Sequence, residues 1–553
     1  MDAAISRHFV TVDGAFGRRE VHFRRAGAGP VVMLLHQSPQ SSREMEALMH
    51  AWSHAFTLIA PDTPGYGFSA PLRPGSGAEA GLGIDDFATA TLELADHLGL
   101  ARFGVYGFHT GASIGTAMAA ARPDRVAAVA ANGLVMLRND EREAILREYL
   151  PPLEPRWDGG HLAWLWARLR EQTIFFPWHD RRAATRLDFD VPSPERLQAA
   201  LEEFLAAGDH HADAYFAAFT DQAGQRLPVL RSAVLVTASA QDPLAGHLGR
   251  IGPRSASVSV AVSANGAAAL DNCFAHLRRH PGDVAPPLPA ILRAAGNAGG
   301  SSYQGATGRQ VRLLHTPART GGKRHTVVLL HPPGQSADGT TMLAHALAAH
   351  ADVIAADLPG HGASDRPHVD ADSPGSMLTA VTDQLAAALV GALANPAPES
   401  VVLAAIGSSA PLARRLHAAL GLSTSLVLVN PPCWTADDRT AWLKSGLPAL
   451  APVWSGGHLL EAWHMVRDGR LFSPWFRRDP AGIRAGEPDL DDRRIHDEVR
   501  DLLRAGGAWQ PLMRDLLLDA DPVLAEPATI TLSSGDDNPP DWPAILKRTE
   551  PAR

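Results

Sequence analysis

Asp62-Thr63-Pro64-Gly65-Tyr66-Gly67-Phe68-Ser69 returns 295 positions later as Asp357-Leu358-Pro359-Gly360-His361-Gly362-Ala363-Ser364. The stretch before it repeats too: Val31-Val32-Met33-Leu34-Leu35-His36 comes back as Val327-Val328-Leu329-Leu330-His331. Farther along, Gly159-Gly160-His161-Leu162, Trp166, Arg170, Phe175 and Pro177-Trp178 match Gly456-Gly457-His458-Leu459, Trp463, Arg467, Phe472 and Pro474-Trp475 at an offset of 297. Identities held at fixed spacing over such distances mark a tandem duplication, and a duplication sets the architecture before any element is assigned.

The rest of the composition agrees with two packed domains. At 553 residues the chain exceeds what one hydrophobic core usually supports. Hydrophobic residues make up 45% and charged residues 20%, which excludes a disordered or fibrous chain. The net charge is −9 without a basic stripe, so nucleic acid is not an expected partner. Met1-Asp-Ala-Ala-Ile-Ser-Arg-His8 lacks the basic start and apolar stretch of an export signal, and no run of about 18 apolar residues marks a membrane span. Cys273 and Cys433 are too few for a disulfide framework and lack zinc-ligand spacing. A soluble, cytoplasmic protein is expected, with no membrane partner.

Within each half, short β-branched runs alternate with amphipathic stretches. Val31–Leu35, Phe56–Ala60 and Phe103–Tyr106 read as buried strands, while Ile84, Phe87, Thr91, Leu94, Ala95 and Leu98 share one helical face. This order predicts a mostly parallel sheet covered by helices. The Trp-rich stretch from about 138 to 226 interrupts the alternation as a helical lid. The expected division is a first domain over 1–295, a flexible Gly/Ser/Ala linker over 296–308, and a second, degenerate and C-terminally truncated domain over 309–553 with its lid at about 434–521.

A strand ending in His36, a second running into Asp62–Ser69, and a third ending in Gly107-Phe108-His109-Thr110-Gly111 before a small-residue helix together resemble the α/β-hydrolase superfamily. The resemblance covers nearly the whole chain, twice, and implies two tandem α/β-hydrolase-like domains, each a mostly parallel sheet flanked by helices with a helical lid insertion. In that family the sharp turn reads Gly-x-Ser-x-Gly, because small residues must flank a strained nucleophile backbone. Here a His-Thr-Gly elbow stands in its place.

Chain order puts the acid at Asp242, after Val234–Ala240, and the general base in Ala264-Asn-Gly-Ala-Ala-Ala-Leu270, where Ala267 replaces the family histidine. His276 and His280 read as helix residues. An imidazole on the elbow can extend toward the space the missing histidine would fill, with Asp242 fixing its tautomer, so His109 and Asp242 are the expected catalytic pair. His109 could act as general base or as covalent nucleophile. The resemblance implies an oxyanion hole from the N–H groups of Gln37 and Thr110, with His36 as a brace behind the loop. A zinc site at His36, His109 and His161 lacks a carboxylate partner, so no metal is expected, and without a Gly-x-Gly-x-x-Gly or phosphate-binding loop after a strand no cofactor is expected. In the second half Gly407 aligns with His109, and a one-residue slip would present Ser408. Asp536 or Asp537 would supply the acid there, and this half is expected to be catalytically inert.

The recurring lid aromatics predict architecture: Trp166 and Trp463 suggest an intramolecular pseudo-dimer packed through the two lids, leaving the chain monomeric. Trp157, Trp164 and Phe176, which lack counterparts, are the candidates for an apolar substrate pocket. The expected function is hydrolysis of an ester, lactone or C–C bond in a small apolar organic substrate. The rivals are a lyase or isomerase step with His109 as base, and a noncatalytic ligand-binding or scaffold role.

Overall fold

A computed structural model describes residues 4–73, 81–288, 299–319, 325–369, 375–394, 398, 400–420, 424–519 and 529–532. The chain divides into two compact units, one comprising 1–154 and 164–292, the other 155–163 and 293–553.

In the first unit, β1 (Ser6–Gly14) and β2 (Gly17–Ala26) form an antiparallel hairpin. Six strands follow: β3 (Val31–Leu35), β4 (Thr57–Pro61), β5 (Phe103–Phe108), β6 (Val126–Asn132), β7 (Ala233–Ser239) and β8 (Val258–Ser263). The sheet order is β1-β2-β4-β3-β5-β6-β7-β8, with β3 to β8 parallel. The inner strands are near-continuous apolar runs because helices cover both faces: β3 and β4 are buried at every position. Helix Ile84–His97 buries Phe87, Ala88, Leu94 and Ala95 in one core, and Met49, Trp52 and Cys273 lie in the other. The lid emerges between β6 and β7 as helices Asn139–Glu148, Gly160–Ile174, Pro194–Ala207 and Asp213–Thr220.

Among the described residues the second unit repeats the plan with seven strands: β9 (Gly300–Gln304), β10 (Val311–Thr316), β11 (His325–Leu330), β12 (Asp352–Ala356), β13 (Ser400–Ile406), β14 (Thr424–Val429) and β15 (Thr529–Leu532), ordered β15-β14-β13-β11-β12-β10-β9. Its lid lies between β14 and β15, with helices Gly457–Leu471 and Asp492–Leu518. Helix Ser376–Leu393 is long and apolar enough to span a membrane by length and composition. It nonetheless carries Asp383 and Gln384, and it buries Leu378, Val381, Leu385 and Leu389.

The expected linker at 296–308 needs correction. Gly300–Gln304 is strand β9, paired antiparallel with β10 so that Ser301 faces Leu314 and Ser302 faces Leu313. Both serines are buried, and Ser302 Oγ meets His315 Nε2 at 2.9 Å. The Gly/Ser composition that reads as flexible here supplies small polar residues to a hairpin. Residues 296–298 lie outside the described ones.

The recurring Gly-Gly-His motif is a helix start. Gly159 and Gly456 adopt φ of +72° and +76°, values that favour glycine, before the helices Gly160–Ile174 and Gly457–Leu471. The imidazole then accepts from the chain five residues back, His161 Nδ1 from Arg156 N at 3.1 Å and His458 Nδ1 from Val453 N at 3.3 Å. The segment 155–163 belongs to the second unit through contacts of this kind: a Cβ on Gly159 would lie 2.6 Å from the Trp463 ring, whose Nε1–H donates to Trp157 O at 3.2 Å. Trp463 is fully buried. Trp463→Ala should therefore cost about 3–5 kcal/mol in a denaturant melt and accelerate amide hydrogen exchange across 155–163.

Candidate active site

The turn after β5 is built by steric exclusion. His109 has φ +47° and ψ −106°, a conformation L side chains rarely adopt, and it begins the helix Thr110–Ala121. Its flanking glycines are obligatory, because a Cβ on Gly107 would lie 2.2 Å from Gly111 O and one on Gly111 would lie 2.2 Å from Leu35 O. The strain lifts the imidazole off the sheet. Its Nε2 meets Asp242 Oδ2 at 2.9 Å, and Leu244 N–H donates to Asp242 Oδ1 at 2.8 Å. Burial pushes the Asp242 carboxyl up, but the His109 bond, its charge and the Leu244 N–H outweigh this and hold it below the ordinary range. With Nε2 committed to a carboxylate, the lone pair of the neutral ring lies on Nδ1.

Room for this pair comes from Gly133, at φ +73° on the loop after β6. A Cβ there would sit 2.2 Å from His109 Cδ2 and 2.7 Å from Nε2. Nothing in the sequence singles Gly133 out, since its role exists only once the ring lies over it.

His109 and Asp242 open into a cavity of about 1030 Å³ within the first unit, walled on its apolar side by Phe108, Val135, Phe176, Leu187, Phe219 and Leu244. Tyr149 and Tyr215, which share a hydrogen bond, also line it, with both hydroxyls pushed above the ordinary range by burial. Of the pocket residues expected from sequence, Phe176 lines the cavity, whereas Trp157 and Trp164 do not. Trp157 lies in the segment that packs with the second unit, and its side chain is 68% exposed. Trp164 sits on the outer side of its helix, edge-on to Trp178 at 6.1 Å. Absence of a repeat counterpart is a poor guide to which helix face turns inward.

His36 is a brace. Its Nδ1 bonds Gln37 O at 2.8 Å and its Nε2 accepts from Thr63 N at 2.9 Å, so both nitrogens are committed. His331 repeats the arrangement with Pro332 O and Leu358 N. His161 likewise spends both nitrogens, on Arg156 N and on His496 Nδ1 at 3.0 Å, leaving neither His36 nor His161 a lone pair for a metal. Among the described residues no group of three or more His, Cys, Asp or Glu could hold an ion. Ala267 is exposed in the first turn of helix Gly266–Arg279, and His276 Nε2 bonds Ala233 O at 3.2 Å beside His280.

The expected oxyanion hole is only half available. Thr110 N begins a helix and is one of the N–H groups such a start leaves without an intrahelical partner. Gln37 N–H, by contrast, donates to Glu44 Oε2 at 3.1 Å, and Gln37 Nε2 to Glu44 Oε1 at 2.5 Å. Glu44 is the residue sequence reading missed. It lies within the short turn Ser42–Met45, which curls it back over Gln37 and onto the cavity wall. Burial and the nearby Glu203 charge push its carboxyl up to about 7 against the opposing pull of Gln37 and His109, burial being the largest influence.

In the second unit Gly407 holds φ +57°, so the elbow residue is Gly407 and the slip that would present Ser408 does not occur. Ser409 Oγ donates within the turn, to Leu330 O and Ile406 O. A separate cavity of about 820 Å³ is lined there by Gly407, Ser408, Trp434, Trp442, Trp475 and Trp509. Asp536 and Asp537 lie outside the described residues.

Family models match this architecture twice, one described as alpha/beta hydrolase fold over residues 30–249 and one as alpha/beta hydrolase family over 327–551. The chain belongs to the α/β-hydrolase superfamily as a tandem duplication. It is similar to Haloalkane dehalogenase 2 of Mycobacterium tuberculosis, 36% identical over 112 residues, which is 20% of this chain and 37% of the relative. It is also similar to the 2-(acetamidomethylene)succinate hydrolase of Mesorhizobium japonicum, 33% identical over 155 residues, 28% of this chain and 51% of the relative. The chain thus spans about half or less of the length of these relatives, which are enzymes of this superfamily. Among solved structures, Epoxide Hydrolase A from Mycobacterium thermoresistibile matches at 20% identity and TM-score 0.36 over 50% of this chain and 98% of its own.

Gly133→Ala should displace the His109 ring from Asp242, visible by proton NMR as loss of the downfield Nε2–H resonance that Asp242→Asn also removes.

Proposed function

We propose that the first unit hydrolyses a small, largely apolar organic molecule, with the His109–Asp242 dyad as general base toward water. The observation that carries this reading is the 2.9 Å bond between His109 Nε2 and Asp242 Oδ2, which leaves the lone pair of the neutral ring on Nδ1, on the wall of a largely apolar cavity. Water held at Nδ1 loses its proton as its oxygen attacks the substrate. Asp242 then stabilises the imidazolium, a contribution of roughly 10²–10⁴-fold in rate. An ester or lactone suits the cavity, and relatives named haloalkane dehalogenase, soluble epoxide hydrolase and 2-(acetamidomethylene)succinate hydrolase indicate how varied the substrate can be.

The commitment of Gln37 N–H to Glu44 favours a second reading, a lyase or isomerase step in which the same Nδ1 takes a proton from carbon. The second unit is read as catalytically silent, because its elbow carries no side chain and no imidazole lines its cavity among the described residues. A cytoplasmic location is part of the same proposal.

His109→Ala should lower turnover by two or more orders of magnitude while leaving substrate binding within a few fold. Ser408→Ala should leave turnover unchanged. A fluorophosphonate probe should label neither Ser38 nor Ser113, both buried. Stoichiometric labelling of either by mass spectrometry contradicts the dyad.

A further inference from the structure

The dyad accounts for taking a proton and leaves the Glu44 carboxyl on the cavity wall without a task. We propose that Glu44 is the proton donor opposite His109: it delivers a proton to the oxygen that leaves carbon while the dyad removes one from the attacking water. This deepens the hydrolytic reading of the same cavity and rests on it.

Three observations support the assignment. First, Glu44 makes no ion pair among the described residues. The neighbouring Arg43 turns instead to Glu202 and Glu203, at 3.3 and 3.8 Å. Among the described residues the hydrogen bonds to its carboxyl are the two from Gln37, both neutral donors. Without a cationic partner among the described residues and beside a largely apolar cavity, the carboxyl is disposed to keep its proton near neutrality in spite of those two donors, in line with its upward shift to about 7.

Second, a neighbouring carboxylate adds to the effect of burial, against the pull of His109. Glu203 from helix Pro194–Ala207 disfavours ionisation of Glu44, while His109 on the elbow favours it. Asp242 lies beyond His109, and Tyr215 from helix Asp213–Thr220 and Tyr106 of β5 feel the Glu44 charge as well. No lysine or arginine is among the dominant influences on Glu44 itself.

Third, Glu44 lies where the fold would otherwise offer an N–H to an oxyanion. A departing oxygen seated at Thr110 N meets the carboxyl that has captured Gln37 N–H. Charge developing on that oxygen is neutralised by proton transfer, where a complete oxyanion hole would stabilise it as an anion.

The step balances. A C–O bond forms from water and the C–O bond to the departing oxygen breaks. The water proton passes to His109 Nδ1, the Glu44 proton passes to the departing alcohol, and the imidazolium then returns its proton to the Glu44 carboxylate through solvent.

General-acid help matters only for a poor leaving group. Glu44→Gln should therefore lower kcat for ethyl butyrate by a hundredfold or more and change kcat for 4-nitrophenyl butyrate by no more than a few fold, since nitrophenolate departs without protonation. Equal losses on both esters would reduce Glu44 to a structural role, and no loss on either would remove it from the reaction. Because His109→Ala should impair both esters, an unimpaired His109→Ala variant would count against the dyad, not against Glu44. A second measurement needs no turnover. The carbon-13 carboxyl signal that disappears in Glu44→Gln should titrate near neutrality and move to higher pH in His109→Gln. A midpoint below 5, or one indifferent to His109, overturns the proposal.

Discussion

The carboxylate of Asp62 ties three separate pieces of the first unit to one buried point. Ser42 N and Phe68 N donate to it at 2.8 Å each, and His22 Nδ1 meets it at 2.8 Å. Burial works against its ionised form, yet these partners together hold its pKa well below the usual carboxylate range. A buried charge so satisfied is worth little as net stabilisation, but removing one partner would leave it uncompensated at a cost of about 3–5 kcal/mol. The geometry it imposes is what matters here, because the loop it pins through Ser42 is the loop that carries Gln37 and Glu44. Asp357 does the same in the second unit with Ala337 N, Ala363 N and Arg312. An anchor of this kind serves the fold and not the chemistry, which accounts for its survival in both copies while the elbows diverged.

On that frame the first unit assembles opposing tendencies within one cavity. Asp242 is held ionised by the donors around it, and Glu44 is held near its protonated form by burial and a neighbouring carboxylate. Two acids of the same chemistry are driven apart by their surroundings, the condition under which one can orient a base and the other keep a proton. The imidazole bonded to Asp242 lines the same cavity as Glu44, raised by the strained elbow into the space that Gly133 leaves.

Much of this was legible in the residues. The repeat located both sheets, and chain order brought Asp242 to His109 across 133 positions because strand sequence in this fold dictates which loops meet. Both brace histidines could be inferred from their presence in an unequal pair of sites. Four things could not be read, the first being Gly133, whose role exists only once the His109 ring lies over it. Gly300–Gln304 carries the composition of a linker, and only its pairing with β10 makes it a strand. Trp157 and Trp164 are apolar side chains whose direction depends on where 155–163 packs, a tertiary fact. Glu44 acts through a short turn that folds it back seven residues onto Gln37, and no periodicity announces such a contact.

Gly407 keeps the left-handed turn of the second elbow without any side chain to project from it. The backbone strain that normally accompanies a reactive residue has there been absorbed by glycine, while the cavity in front of it remains open. Such a copy is a mould from which the casting has been lifted. For protein engineering it offers a site in which a side chain of choice can be placed at a position the fold already points into solvent-accessible space, with the untouched first unit serving as an internal control on the same polypeptide.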